Sequence, residues 1–199
     1  MSERILVFAA HPDDEALGCG GTIARHCRNG DPVSVVVMAD GVGSRSNLMS
    51  GFAAAVKERH GMCRRACKTL GTEDVWLHQF ADNMMDNVPL LQVVQHIERH
   101  IERFKPTIVY THHAGDMNID HRITNEAVRV ACRPQPGCTV RSLFYFEVPC
   151  STTWAGNFEP RYFVNINDTL DFKLAALECY GAEMREPPHP RSMAGVSNQ

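Results

Sequence analysis

One alternation restricts the fold of this chain more than any other feature. Short β-branched and aromatic runs recur at Ile5 to Ala10, Val33 to Met38, Val75 to Phe80, Thr107 to Thr111, Ser142 to Val148 and Tyr162 to Ile166. Helical patterns fill the early gaps, from Ala16 to Arg28, Gly51 to Leu70 and Pro89 to Phe104. In the third, Leu90, Val94, Ile97, Ile101 and Phe104 follow the helical period and form one apolar stripe. Strands that are apolar along their whole length have no face to give to water, so helices must cover the sheet on both sides. The expected fold class is α/β: a three-layer, Rossmann-like domain with a mostly parallel sheet. At 199 residues and 44% hydrophobic content the chain suits one core. No repeat, linker or low-complexity segment divides it, so a single domain over 1–199 is expected.

Polar residues gather at one end of these strands. His11 to Glu15 follow the first, Asp40 the second, Asp82 the third and His112 to His121 the fourth, while Glu147 closes the fifth. Open α/β sheets bind ligands in the crevice at the carboxyl ends of their strands. Five segments that bring ionisable groups to one edge therefore predict a site there. The charge balance removes other classes: a formal net charge of −3 without a Lys/Arg run leaves no nucleic-acid footprint. No apolar stretch approaches a membrane span. Met1-Ser2-Glu3-Arg4 lacks the basic flank of a signal peptide, and the run behind it is too short for one. The eight cysteines show no paired framework and are expected as free thiols. The expectation is a cytoplasmic protein with no nucleic-acid and no membrane partner, with a homo-oligomer left open.

The most informative stretch is Ala10-His11-Pro12-Asp13-Asp14-Glu15, where a strand ends in a tight turn and a helix starts near Ala16. Imidazole and carboxylate are good zinc ligands, and His11 and Asp14, three apart across the turn, can converge on one ion. Asp13 would then stand beside the ion without binding it. A base is needed there to take a proton from water, which zinc acidifies. The competing reading is a capping turn, with Asp13 or Asp14 as N-cap and Glu15 favouring the helix dipole. The second cluster, Thr111 to Arg122, holds three histidines and two aspartates after a buried strand. Two ligands on one loop and a third on another is the usual pattern of a catalytic zinc site, which keeps a position open for water. His121 is the best third ligand, and Asp120 can orient a ligand or the base from behind.

At this point the chain resembles the PIG-L/LmbE-like deacetylases. The likeness rests on His11-Pro12-Asp13-Asp14-Glu15, Gly18-Cys19-Gly20-Gly21 and Asp120-His121. Ala39-Asp40-Gly41, Arg59, Leu70-Gly71 and Phe80-Ala81-Asp82-Asn83 extend it over most of the chain. The resemblance implies Zn2+ held by His11, Asp14 and His121, with Asp13 as general base. It implies substrate hydroxyl contacts from Asp82 and contacts from basic groups such as Arg45 or Arg59; Asp40 and His189 are further substrate-side candidates. Many relatives carry His-Pro-Asp-His at the second motif, where this chain reads Asn118-Ile119-Asp120-His121. Asn118 can donate to an oxyanion but cannot supply a proton near neutral pH. Either His112 or His113 supplies the acid, or Asp13 returns the proton it took; the second is preferred, with His113 as helper. Similar proteins continue through a further helix after Pro188-His189-Pro190-Arg191-Ser192; here the tail from Glu186 to Gln199, rich in Pro and small polar residues, is expected to lie over the surface.

The function implied is hydrolysis of an N-acetyl or other N-acyl group on an amino sugar, sugar conjugate or nucleotide sugar. The rivals are hydrolysis of another small amide such as an N-formyl group, and a nucleotide-binding module without catalysis. Other features are expected to be structural. The glycines of Gly18-Cys19-Gly20-Gly21 lack dinucleotide spacing and follow carboxylates, so they suit close helix packing. His96 and His100 lie off the apolar stripe without an adjacent glutamate and read as a solvated helix face. Cys63 and Cys67 read as inert buried thiols. Arg185, His189 and Arg191 belong either to a surface loop or to a contact with an anionic part of the substrate.

Overall fold

The computed structural model describes residues 2–44 and 51–198. Five parallel strands, β1 (Ile5–Ala9), β2 (Val33–Ala39), β3 (Val75–Phe80), β4 (Ile108–His112) and β5 (Ser142–Phe146), form one sheet in the order β3-β2-β1-β4-β5. The helices among the described residues are α1 (Asp14–Arg28), α2 (Phe52–Leu70), α3 (Leu90–Phe104), α4 (Ile119–Ala131), α5 (Ser151–Ala155), α6 (Leu170–Glu178) and α7 (Met193–Ser197). None is long and apolar enough to cross a membrane. All eight cysteines are free thiols.

Alternate residues of the central strands serve two cores, as the period of a strand requires. Ile5, Val7, Ala9, Val35 and Val37 pack with Leu17, Cys63, Leu70, Leu177 and Tyr180 of the α1, α2 and α6 side. Leu6, Phe8, Val36 and Met38 pack with Val93, Ile97, Ala127 and Val128 of α3 and α4. The three layers are those expected. The strand order runs outward to β2 and β3 on one side of β1, and to β4 and β5 on the other. The sheet therefore changes direction between β1 and β4, the place where α/β sheets open a crevice.

Three expectations are corrected. Tyr162 to Ile166 joins no ladder. Ile166 wedges where a Cβ on Gly21 would stand, and Arg25 and Arg28 donate to the carbonyls of Asn165 and Asp168, so this segment is drawn across α1 rather than along β5. In α3 the buried positions are Val93, Val94, Ile97 and His100, so His100 belongs to the packed face and not to solvent. The tail does not merely cover the surface: Ser192 is buried and Arg191 reaches the carboxylate of Asp13. The glycines of α1 do serve close packing, since a Cβ on Gly18 would lie 2.2 Å from the Phe146 ring.

Candidate metal centre

Loops after β1 and β4, neighbours at the switch point, build the centre. His11 and Asp14 come from the first and His121 from the first turn of α4. Asn118 caps α4, its Oδ1 accepting from the backbone N–H groups of Asp120 (2.8 Å) and His121 (3.4 Å). Three ligand atoms face one another: His11 Nδ1 and Asp14 Oδ2 are 3.3 Å apart, Asp14 Oδ2 and His121 Nε2 3.2 Å, and His121 Nε2 and His11 Nδ1 3.3 Å. Donors at about 2.0–2.1 Å from a tetrahedral ion stand roughly 3.3 Å apart, so this triangle fits one face of such a site.

A second ring of carboxylates fixes which nitrogen points inward. His11 Nε2 lies 3.0 Å from Asp120 Oδ2 and 3.1 Å from Asp82 Oδ1. A proton donated there leaves the lone pair of Nδ1 toward the triangle. Asp120 is fully buried and also accepts from the N–H groups of Asn83 (2.7 Å) and Met85 (3.0 Å). His121 Nδ1 lies 3.2 Å from Asp116 Oδ1, off the ideal hydrogen-bond line, and Asp116 is itself held by Asn118 N–H and by the hydroxyls of Ser151 and Thr152. Burial would pull His11 and His121 below their ordinary values, but the carboxylates hold both above. Burial would raise Asp14, yet His121 and His112 keep it well below the usual carboxylate range. The centre thus favours positive charge.

Asp13 lines the cleft beside the triangle. Its φ of 126° lies in a region that side chains rarely occupy, with a cost of order 1–3 kcal/mol that neighbours must offset. Asp13 N–H donates to Glu15 Oε2 at 3.0 Å, and Glu15 is anchored by the Tyr180 hydroxyl at 2.6 Å. Asp13 stands at the N-cap position of α1 with Asp14 and Glu15 in the first turn, but its side chain accepts from no helix N–H. That side chain instead faces Arg191, which ion-pairs with Oδ2, and Arg59 at 3.9 Å. Burial pushes its carboxyl up to about 6 against the pull of Arg191.

The remaining expected residues divide. Asp82 lines the cleft, with Oδ2 accepting from Ser44 N–H (3.1 Å) and Oγ (2.6 Å), while Oδ1 serves His11. Arg59 lines it too, pairing with Glu183 and donating to the Pro12 carbonyl at 3.4 Å. Asn118 lines it and donates from Nδ2 to Asn83 Oδ1 at 2.9 Å. Asp40 does not line it: Oδ1 accepts from the N–H groups of Val42 and Gly43 and shapes the loop that presents Ser44. His113 lies outside, 3.3 Å from Asn157 Oδ1 and edge-on to Phe158. His112 is the inward residue of the pair, stacked on His121 with centroids 3.9 Å apart, its Nε2 accepting from Ala10 N–H. His189 packs against Trp154 and accepts from Arg191 N–H, outside the cleft. Arg45 falls outside the described residues. Ser44 and Glu183 had no local signal; Asp116 was visible only as one aspartate of the second cluster, and Arg191 only as a residue shared between a surface loop and a substrate contact.

A parallel α/β sheet with two histidines and one aspartate converging at its switch point, and a further carboxylate beside them, suits a metal-dependent hydrolase. The profile of the PIG-L family, described as GlcNAc-PI de-N-acetylase, matches residues 6–132, and the chain belongs to that family. It is 32% identical to the uncharacterized deacetylase YaiS of Escherichia coli over 87% of this chain and 88% of that one. It is 26% identical to a probable N-acetyl-alpha-D-glucosaminyl L-malate deacetylase of Bacillus cereus, over 96% and 90%. A conserved protein of Thermus thermophilus has the same fold, with a TM-score of 0.74 and 25% identity over 98% of this chain and 84% of that one.

Proposed function

We propose that the protein is a zinc-dependent N-deacetylase that removes an acetyl or other acyl group from the nitrogen of an amino sugar, sugar conjugate or nucleotide sugar. The observation that carries this reading is the triangle of His11, Asp14 and His121 with Asp13 beside it. Two imidazoles and one carboxylate suit zinc, and leave a position for water or a carbonyl oxygen. Zinc held there would supply Lewis acidity and bring the pKa of water toward neutrality. Asp13 accepts the proton of the water that attacks the amide carbon. Asn118 Nδ2 carries two hydrogens, one of them already given to Asn83, and the other is available to the developing oxyanion. Asp13, once protonated, returns its proton to the leaving amine; its place in the cleft favours it over His113, which lies outside.

The cleft measures about 260 Å³ and is lined mainly by polar groups. That is below the usual range for drug-sized ligands and suits an acylamino group on about one sugar ring. Asp82 and Ser44 line the cleft and are the groups to hold ring hydroxyls, and Arg59 and Arg191, paired with Glu183 and Asp13, are the cationic groups that an anionic substituent would meet. The glucosaminyl substrate named for the Bacillus relative supports the amino-sugar class. Eight free thiols support a reducing, cytoplasmic setting. The test is incubation of the zinc-loaded protein with a panel of N-acetylated amino sugars and their phosphorylated or conjugated forms. Free amine and acetate should appear in equal amounts. Release of neither from any member of the panel, with zinc bound, would reject the reading.

A further inference from the structure

The segment that follows α6 returns to the cleft and meets the Asp13 carboxylate there. Its backbone is fixed around Arg191. Arg191 N–H donates to His189 Nδ1 at 3.0 Å, and the Arg191 carbonyl accepts from Arg185 N–H at 3.3 Å. The next residue, buried Ser192, caps α7 by accepting from Gly195 N–H at 3.0 Å, and Val196 of α7 joins the core on the α1, α2 and α6 side. With its main chain held before and after, Arg191 lines the cleft, and its Nη2 donates to Asp13 Oδ2 across 178 positions of sequence. Nε–H, the neighbouring donor of the guanidinium, is buried without a partner. The contact is therefore one nitrogen to one oxygen. Among the described residues Arg191 is the only donor that reaches this carboxylate, so Oδ1 is left to the cleft.

We infer that Arg191 is a positioning residue for the reaction: it fixes Oδ2 of Asp13 and so presents Oδ1 as the oxygen that takes the proton from water. This role rests on the reading of Asp13 as the base. A carboxylate turns easily about its last bond, and a base works only when its lone pair lies in line with the proton it takes. A charge-assisted hydrogen bond to one oxygen removes that freedom.

No neighbour duplicates the contact. Arg59 Nη1 lies 3.9 Å from Oδ2, beyond hydrogen-bond length, and its Nη2 is given to Glu183. Glu15 Oε2 accepts from Asp13 N–H, and the Tyr180 hydroxyl holds Glu15 Oε1. That second anchor fixes the backbone of Asp13 and leaves its carboxylate free to turn. Loss of the Arg191 side chain should thus spare the turn and the triangle of His11, Asp14 and His121, and release the carboxylate alone.

The test is steady-state kinetics of the zinc-loaded full chain on an uncharged N-acetylated amino sugar, with zinc content measured for each variant. An uncharged substrate separates this role from any attraction of the cleft for anions. Arg191→Ala should keep its zinc, hold KM within about threefold and lose about ten- to a hundredfold in kcat, the scale of a misplaced reacting group. Arg191→Lys, which keeps the charge without the planar fork, should fall between the two. In an Asp13→Asn background, Arg191→Ala should change the residual rate by less than about threefold, because a residue that acts through another is non-additive with it. Methylguanidinium should restore part of the turnover of Arg191→Ala. Its binding, read by calorimetry, should appear in Arg191→Ala and vanish in Asp13→Asn/Arg191→Ala. Should Arg191→Ala fail to fold, Arg191→Met keeps the apolar stem without the donors and is read in the same way. Unchanged kcat, an equal loss in both backgrounds, or no binding of methylguanidinium overturns the role. A wild-type protein that releases no amine rejects the deacetylase reading itself, whereas turnover that ignores Arg191 rejects the positioning role alone.

Discussion

At the switch point of the sheet, His11 and His121 stand among Asp14, Asp82, Asp116 and Asp120; at its outer edge, His78 and His100 stand among aromatic rings and arginines. Burial alone would lower all four imidazoles. At the switch point the carboxylates outweigh burial and hold the rings above their ordinary value. At the edge nothing does, and both fall to about 4. The same side chain therefore serves two chemistries. One set has negative partners that fix its tautomers and favour bound charge; the other is a group of packed neutral rings held against aromatic neighbours.

The largest expected difference between the two regions is in metal and turnover together. His121→Ala removes one corner of the catalytic triangle and should abolish both stoichiometric zinc and deacetylation, whereas His78→Asn should keep both. Elemental analysis and an amine-release assay on the two purified variants read this directly. Full zinc in His121→Ala would break the assignment.

Next in size is the effect of Asp13→Asn. The three ligands are untouched, so zinc should remain, yet turnover should fall by about 10²–10⁴, the scale of general-base loss. A side chain with no role beyond local structure would leave Asn, similar in size and polarity, nearly silent. Single-turnover rates at measured zinc content distinguish the two outcomes.

The smallest expected effect is on acid stability, and it belongs to the edge cluster. His78 and His100 have folded pKa values of about 4, below the unfolded value of about 6.5, so between these pH values the unfolded chain binds more protons. Their contribution is complete above pH about 6.5 and is lost as pH falls toward 4. The groups that set it are His96, Arg99, Arg103 and Asp74. Glu15, raised to about 7 by burial, acts in the opposite direction, so the comparison must be with a variant and not with pH alone. A His78→Asn/His100→Asn double variant should be less stable than wild type at pH 7. That gap should narrow by about 1–2 kcal/mol at pH 4.5, after allowing for solvent at these partly exposed rings. Denaturant unfolding at the two pH values measures the gap, and a constant gap would show that the pair is not buried as neutral rings.

What was legible and what was not follows the range of each signal. The grouping of His11, Asp14 and His121, proposed to hold a metal, could be read because each lies within about ten residues of a strand end, and Asp120 because it adjoins His121. His100 was misplaced because the stripe of α3 was drawn from aliphatic residues alone, while the face it packs against carries Trp76 and His78, against which a neutral imidazole packs well. Tyr162 to Ile166 has the composition of a strand, but composition does not reveal that Arg25 of α1 would take the Asn165 carbonyl, and Arg28 that of Asp168 just beyond it. His113 and His112 are indistinguishable as a pair; strand alternation at the end of β4 decides that His112 points inward.

The sequence by itself determined the five strands of the sheet and the helices α1, α2 and α3, and it offered the side chains proposed to hold a metal, because strand and helix periods and turn chemistry act over a few residues. Only the tertiary structure decided that β4 lies against β1, which brings His121 to within 3.3 Å of His11 across 110 positions. It alone set Arg191 on Asp13 across 178 positions and His78 on His100 at the far edge. Such contacts depend on which strand pairs with which and on how loops close, and chain entropy makes that choice cooperative over the whole core rather than local to any motif.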